Sequence, residues 1–406
     1  MNDLRVAVAG HVDHGKSTII GRLLYETGAL SQQVAERFDR SDESQGAAAL
    51  AFITDQLSEE QEGSFTLDTA QAHFRTARRD YTLIDTPGHR EFLKNMVSGT
   101  TRADAAILVV DAAEGPLPQT YLHAYLISML GIRTVILAIN KMDLVGYEHN
   151  RFQQLSRQLS EHLDRLGIAP IAAIPMSAQR GDNITEPSAR MEWNTTPPLV
   201  SVLDSLPHPE EQTNQPLRFV VQCPFEIDGC RAILGRVISG SLVQNQTIVF
   251  GPSGHETTVT SIRHGQQEAR EASAGQCAGL ILQDPTPVER GQMGFERNRA
   301  PSVTRRFAAR IFWISTQSIE ASDTVEVLCG TQTCKGRIQR IAKVIDPVSL
   351  EAVQTDALRL DDSQVADIIL QTDSPLCVDA FGVVPESGRF AILHKGRIAG
   401  GGVIAT

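Results

Sequence analysis

The stretch that decides the fold runs Leu4-Arg-Val-Ala-Val-Ala9-Gly10-His-Val-Asp-His-Gly15-Lys16-Ser17-Thr18. Leu4 to Ala9 reads as a buried strand, and Gly10 to Ser17 fits G-x-x-x-x-G-K-[ST] at its carboxyl end, with a helix following. Glycines let the backbone wrap closely around a diphosphate. Successive N–H groups and the helix N-terminus then point at negative oxygen, and Lys16 adds a point charge to the β and γ phosphates. Asp13, His14, Gly15, Lys16, Ser17 and Thr18 are therefore the expected phosphate-binding residues, with the Ser17 hydroxyl on Mg²⁺. His11, Asp13 and His14 also have a metal-like spacing, but a loop folded around phosphate sends these side chains in different directions.

Outward from this loop, short apolar runs alternate with helical patterns. Tyr81 to Ile84, Ala106 to Val110, Val135 to Ile139 and Ile171 to Met176 read as buried strands. Leu122, Tyr125, Leu126, Met129 and Leu130 recur at the spacing of a helix that buries one face. This alternation predicts an α/β domain, a mostly parallel sheet covered by helices, with Thr69 to Thr76 as an antiparallel edge strand. A proline-rich polar linker spans Leu206 to Pro216. Beyond it lie short β-branched runs (Arg218 to Gln222, Ile233 to Ile238, Gln246 to Phe250, Thr258 to Ile262, Gly279 to Leu282), and a second proline-marked seam at Glu296 to Pro301 precedes another all-β stretch. The expected domains are residues 1–206, an α/β nucleotide-binding domain, then two small β-barrels at 216–300 and 305–406.

The 406 residues are ample for several cores, and 41% hydrophobic with 21% charged residues excludes intrinsic disorder. A formal net charge of −11 makes the chain a poor generic nucleic-acid binder. No apolar run approaches the roughly 20 residues that cross a bilayer. The N-terminus lacks the layout of a secretory signal, so no membrane contact and a cytoplasmic location are expected. The six cysteines include no C-x-x-C pair and are expected to be buried, reduced thiols.

Two further motifs close strands. In Asp85-Thr-Pro-Gly-His89, Asp85 can reach Mg²⁺ through water, Gly88 can offer its N–H to a γ-phosphate, and His89 is placed to orient an attacking water. Asn140-Lys141-Met-Asp143 and Ser177-Ala178 select the base. Asp143 can accept two N–H donors from the Watson–Crick edge of guanine, which adenine does not present, while Asn140 and the Ala178 N–H suit N7 and O6. The motif order reads as a site for GTP or GDP with Mg²⁺.

These motifs (GHVDHGKST, DTPGH, NKMD, SA), followed by two β domains, resemble the translation-factor superfamily of GTPases across essentially the whole chain. The resemblance implies that Thr66 is the switch threonine on Mg²⁺, and that Val12 and Phe65 form a hydrophobic gate before a catalytic His89. At that place the chain carries Gly63-Ser-Phe-Thr-Leu-Asp68 where elongation factors carry Arg-Gly-Ile-Thr-Ile-Asp. Two branches of the superfamily fit. FTLDTAQAHFRT (65–76), YLHAYLISMLGI (121–132), Gly181-Asp-Asn-Ile184, Met191-Glu-Trp193 and the closing Ile398-Ala-Gly-Gly-Gly402 are similar to the GTPase subunit of sulfate adenylyltransferase. Asp228 to Val237 leans the same way: Arg231 and Ala232 stand where elongation factors carry a Gly-x-Gly-Thr-Val type sequence that opens an adenosine groove, and would alter that groove. The expected function is accordingly a GTP-hydrolysing regulatory subunit, whose partner is an ATP-binding catalytic subunit making adenylyl sulfate. GHVDHGKST and DTPGHREFLKNM look like the elongation factors, which gives the alternative of delivering aminoacyl-tRNA to the ribosome. Lys335, Arg337, Arg340 and Lys343 form a basic stripe expected to be a solvated strand face.

Overall fold

A computed structural model describes residues 3–30, 32, 35–36, 71–85, 103–207, 215–227, 230–265, 267–284 and 287–405. Contacts divide the chain into two compact units, one reaching to Pro209 and one from Glu210 onward that holds both β domains.

The first unit is a six-stranded sheet. Its strands are β1 (Asp3–Gly10), β2 (Gln71–Arg75), β3 (Asp80–Asp85), β4 (Ala105–Asp111), β5 (Val135–Asn140) and β6 (Ala172–Pro175), in the order β2-β3-β1-β4-β5-β6. Every pairing is parallel except β2 with β3, so the expected antiparallel edge strand is present. Val6, Val8, Leu83, Ile107, Val109, Ile136 and Ala138 build one core. Strands buried on both faces need apolar residues throughout, and β4 and β5 are buried at every position.

Helix α1 (Lys16–Glu26) follows β1 directly, α2 (Pro118–Met129) lies between β4 and β5, α3 (His149–Arg165) between β5 and β6, and α4 (Leu199–Ser205) closes the unit. The expectation that α2 buries one face needs correction. His123, Ala124 and Ile127 are buried along with Tyr125, Leu126 and Met129, whereas Leu122 is only half-buried. The reason is a second covering layer. The Gln158 side chain of α3 donates to the Tyr121 hydroxyl at 2.8 Å, and the His162 ring meets Tyr121 edge-on at 4.7 Å.

The second unit contains two closed sheets. In the first barrel, Thr247–Gly251, Met293–Phe295, Arg218–Ile227, Cys230–Ser239, Cys277–Leu282, His255–His264 and Gln267–Ala269 follow one another. Thr247–Gly251 also pairs with His255–His264 and closes the ring. In the second, Thr324–Cys329, Arg389–His394, Arg397–Ile404, Ser302–Trp313, Val365–Val378, Gln332–Ile345 and Ala352–Ala357 form the sheet, closed by Thr324–Cys329 against Gln332–Ile345. Each barrel has its own core, around Phe219, Ile233 and Leu280 in one and Ile311, Ile338 and Leu370 in the other.

A further apolar cluster joins the barrels: Val220, Val249, Met293 and Phe295 from the first with Cys377 from the second. Beside it Arg218 donates to Asp379 through Nε and Nη2, at 2.8 and 2.7 Å, with both side chains buried. Nη1 donates to the Leu217 and Arg299 carbonyls, and the Ser387 hydroxyl donates to Asp379 Oδ2 at 2.5 Å. Every side-chain nitrogen and oxygen of this pair therefore has a partner, which makes a buried charge pair tolerable.

The basic stripe is exposed as expected, because register shifts at Ile338/Arg340 and Ile341/Lys343 keep Arg340 and Lys343 on the outer face. The cysteines depart from expectation: Cys329, Cys334 and Cys377 are buried, but Cys223 is half-buried and Cys277 exposed. Cys277 opens a strand, where the outward position of the pleat meets solvent. No helix among the described residues is long and apolar enough to cross a membrane.

Candidate functional site

Parallel pairing brings the carboxyl ends of β1, β3, β4 and β5 to one edge of the first sheet, where crevices of such sheets bind ligands. The motif residues that the structure describes gather there. Gly10 has φ +147°, and a Cβ on it would stand 2.4 Å from the Val109 carbonyl oxygen. Gly15 caps α1 at φ +90°, and a Cβ there would stand 2.4 Å from Asn140 Nδ2. Both positions therefore need glycine. No side chain caps the N-terminus of α1, so the amides of its first turn are left to an external acceptor.

Lys16 is buried and its Nζ donates across the loop to the carbonyls of Gly10 (3.0 Å) and His11 (2.9 Å). Burial pushes its pKa down, and the carboxylates of Asp85 and Asp13 offset only part of that, so Asp85 faces the same region. Asp13 sits at φ +66° and is exposed; Val12 is 47% exposed; Ser17 and Thr18 are half-buried in the first turn of α1. His14 is fully buried, 3.5 Å from Glu114 through Nε2, and burial lowers its pKa, keeping the ring neutral at pH 7. Phe65, Thr66, Gly88 and His89 lie outside the described residues, as do the gate and the switch threonine built from them.

At the base end, Asp143 sits in a 3-10 turn over Met142–Val145, entered through Lys141 at φ +61°. Its Oδ1 is buried and has no hydrogen-bond partner in the described structure. A carboxylate oxygen in that state suits an N–H donor supplied by a base. Lys141 donates to Asp111 Oδ2 at 2.7 Å. Burial raises the Asp111 carboxyl, but Lys141 and the amides of Ala113 and Glu114 outweigh it and hold the group below its usual range.

Asn140 has protein partners that the sequence reading does not include. Its Nδ2 donates to the His14 carbonyl at 3.0 Å, and its Oδ1 accepts from the Ala178 N–H at 3.0 Å. Asn140 is thus a brace between the phosphate loop and the Ser177-Ala178 turn, and the N–H expected at guanine O6 already donates to it. The physical reason is the close approach allowed by Gly15, which puts the Asn140 amide against loop backbone. Ser177 and Ala178 are both buried, and the turn is fixed by the Ser177 N–H to the Asp182 carbonyl.

Four residues of this region escaped the sequence reading. Asp111 ends β4, and its acidic character after an apolar run was an available signal. Asp182 accepts from Tyr147, Ser188 and Arg190 beside the turn. His123 Nδ1 accepts the Gly10 N–H at 2.9 Å, and Arg22 reaches the Ala178 carbonyl. Nothing in local patterning marks the last two.

The chain matches the elongation factor Tu GTP-binding domain over residues 1–222, elongation factor Tu domain 2 over 231–292 and the C-terminal domain of the elongation factor 1-alpha type over 306–405. It belongs to the elongation factor Tu/1-alpha family of GTPases, a GTPase domain followed by two β-barrels. Elongation factor 1-alpha of Pyrococcus furiosus is 34% identical over 99% of this chain and 97% of its own. Elongation factor 1-alpha of Thermococcus onnurineus is also 34% identical, with the same coverage. GTPases of this family bind GTP or GDP with Mg²⁺. The residues present fit that group: uncapped α1 amides and Lys16 suit phosphate, Ser17 and Asp85 offer oxygen to the cation, and the Asp143 oxygen suits guanine.

Gly15→Ala is expected to weaken GDP binding by at least about tenfold and to destabilise the first unit by ~1–3 kcal/mol, through the positive φ and the Asn140 clash. Nucleotide titration and thermal melting check it; wild-type affinity would remove the tight approach from the account.

Proposed function

We propose that this chain is a cytoplasmic guanine-nucleotide switch of the elongation-factor kind, which carries aminoacyl-tRNA to the ribosome while GTP is bound and releases it after hydrolysis. The end-to-end similarity to elongation factor 1-alpha carries this reading, since it includes both barrels as well as the GTPase domain. In the cycle, Lys16 and the α1 amides hold the phosphates, Asp85 and Ser17 with Thr66 hold the cation, Gly88 senses the γ-phosphate and His89 orients water behind the Val12–Phe65 gate. Loss of the γ-phosphate would remove the contacts proposed for Thr66 and Gly88, which is what makes the nucleotide a switch.

The regulatory subunit of sulfate adenylyltransferase, expected from sequence, gains no support from these relatives. One observation keeps it as a second reading. Asp228 to Val237 lacks the Gly-x-Gly-Thr-Val type sequence that elongation factors carry at this place. Stimulated GTP hydrolysis separates the two. Acceleration by ribosomes with charged tRNA supports the first; acceleration only by an ATP-binding subunit with ATP and sulfate overturns it in favour of the second. In whichever system stimulates, His89→Ala is expected to slow hydrolysis by about 10²-fold while GDP affinity changes about twofold or less. An unchanged rate removes His89 from its role.

A further inference from the structure

Arg22 lies on α1, the helix that Lys16 begins, and its guanidinium is buried. Nε donates to the Ala178 carbonyl at 2.8 Å and Nη2 donates to the Gln179 carbonyl. β6 has already ended at Pro175, so no strand ladder takes up these two carbonyls. Glu26, one helical turn on, holds the guanidinium, with Oε1 3.8 Å from Nε. Its other oxygen accepts from the Thr185 hydroxyl at 2.5 Å. Gly181 makes room for this carboxylate, since a Cβ there would stand 2.6 Å from Glu26 Oε1.

These bonds complete a ring. The Ala178 N–H donates to Asn140, Asn140 donates to the His14 carbonyl, and His14 leads through Gly15 into α1, which returns to Ala178 through Arg22. Residue 178 is thus held at its N–H by the brace to the phosphate loop and at its carbonyl by the phosphate helix. A planar guanidinium with donors in a fixed fork is suited to hold two consecutive carbonyls in one orientation; a lysine is not.

We propose that Arg22 is a positioning residue for base recognition: it sets the Ala178 peptide so that its N–H is shared between Asn140 and the oxygen at position 6 of guanine. Three-centre sharing of this kind is common for backbone N–H groups at helix and turn ends. The proposal rests on the guanine reading of the site. It also makes one rigid element, α1, responsible for both ends of the nucleotide, because the helix that offers its amides to phosphate also orients the turn at the base.

The test compares GDP with 6-thioguanosine diphosphate, whose sulfur accepts hydrogen bonds poorly while its N1–H and 2-amino donors are intact. Arg22→Gln is expected to weaken GDP by about tenfold and the thio analogue by about twofold or less, with Arg22→Lys between wild type and Arg22→Gln for GDP. Glu26→Gln, which leaves Arg22 in place but loosens its holder, is expected to shift the same ratio by about threefold, and it serves if Arg22→Gln does not fold. Equal losses for both nucleotides, or no loss for either, would overturn the proposal and leave Arg22 as a packing residue of α1. Asp143→Asn in the same assay separates the two levels. If it leaves the preference for GDP over inosine diphosphate unchanged, the guanine reading itself fails; if that preference falls while Arg22→Gln changes no ratio, only the role of Arg22 falls.

Discussion

Replacing Asp143 by asparagine is expected to lower GDP affinity by about 100-fold and to remove most of the preference for GDP over inosine diphosphate. The Asp143 turn is pre-formed, entered through the left-handed Lys141 and left through Gly146 at φ +61°. Lys141 is anchored to Asp111, so the carboxylate is presented on a backbone that has little freedom to adapt. Its buried Oδ1 has no partner within the described chain. The N1–H and 2-amino groups of guanine give a carboxylate two charge-assisted bonds worth ~1.5–3 kcal/mol each, and inosine lacks the second donor. Asparagine offers one acceptor and turns an N–H₂ group toward a donor, so an attraction becomes a clash of like partners. Competition of the two nucleotides against a fluorescent GDP reads the ratio directly. An unchanged ratio would mean that the base is held elsewhere.

The second large effect concerns the barrel pair. Asp379→Asn is expected to destabilise the second unit by ~3–5 kcal/mol, because it leaves the Arg218 charge buried without its counter-ion. For a unit of this size the melting temperature should fall by roughly 10 °C. The bidentate geometry and the extra bonds from Ser387 and to the Leu217 and Arg299 carbonyls are what the variant disturbs. Arg218→Met alone would strand Asp379 in the same way. The double variant Arg218→Met with Asp379→Asn removes both charges, and is expected to lose clearly less than the sum of the two single losses. If the double variant is as unstable as the sum of the two single ones, the pair contributes through packing and its charge matters little. GDP affinity should move about twofold or less in all three variants, since the nucleotide residues belong to the other unit.

What could be read from the sequence divides along a physical line. Strand ends carrying a glycine-rich loop, Asp85, Asn140 with Asp143, and Ser177-Ala178 were legible because backbone chemistry at a strand's end is written locally. The edge strand at Gln71–Arg75 announced itself by period-two alternation against its partner. Contacts between distant segments were not legible. The motif points Asn140 at the base, but not at His14 and Ala178, 126 and 38 positions away, which its amide also bonds. Arg22 reaches Ala178 across 156 positions, and no periodicity distinguishes it from a solvated arginine on an amphipathic helix. The burial of α2 on more than one side is not legible for a related reason: α3, a separate segment, also touches it. The two barrels were separable as β-rich segments. That they make one compact unit rests on contacts such as Arg218 with Asp379, 161 positions apart, and the Cys377 cluster, which no local pattern announces.

The most direct measurement for the central claim is equilibrium displacement of a fluorescent GDP from the full chain in the presence of Mg²⁺, by GDP, GTP, ADP and ATP in turn. A site whose Asp143 carboxylate, with Oδ1 buried, is matched to guanine donors should reject adenine by about 10⁴-fold, so both guanine nucleotides displace the probe and neither adenine nucleotide does at matched concentrations. Displacement by ADP at the concentration that suffices for GDP would contradict the account.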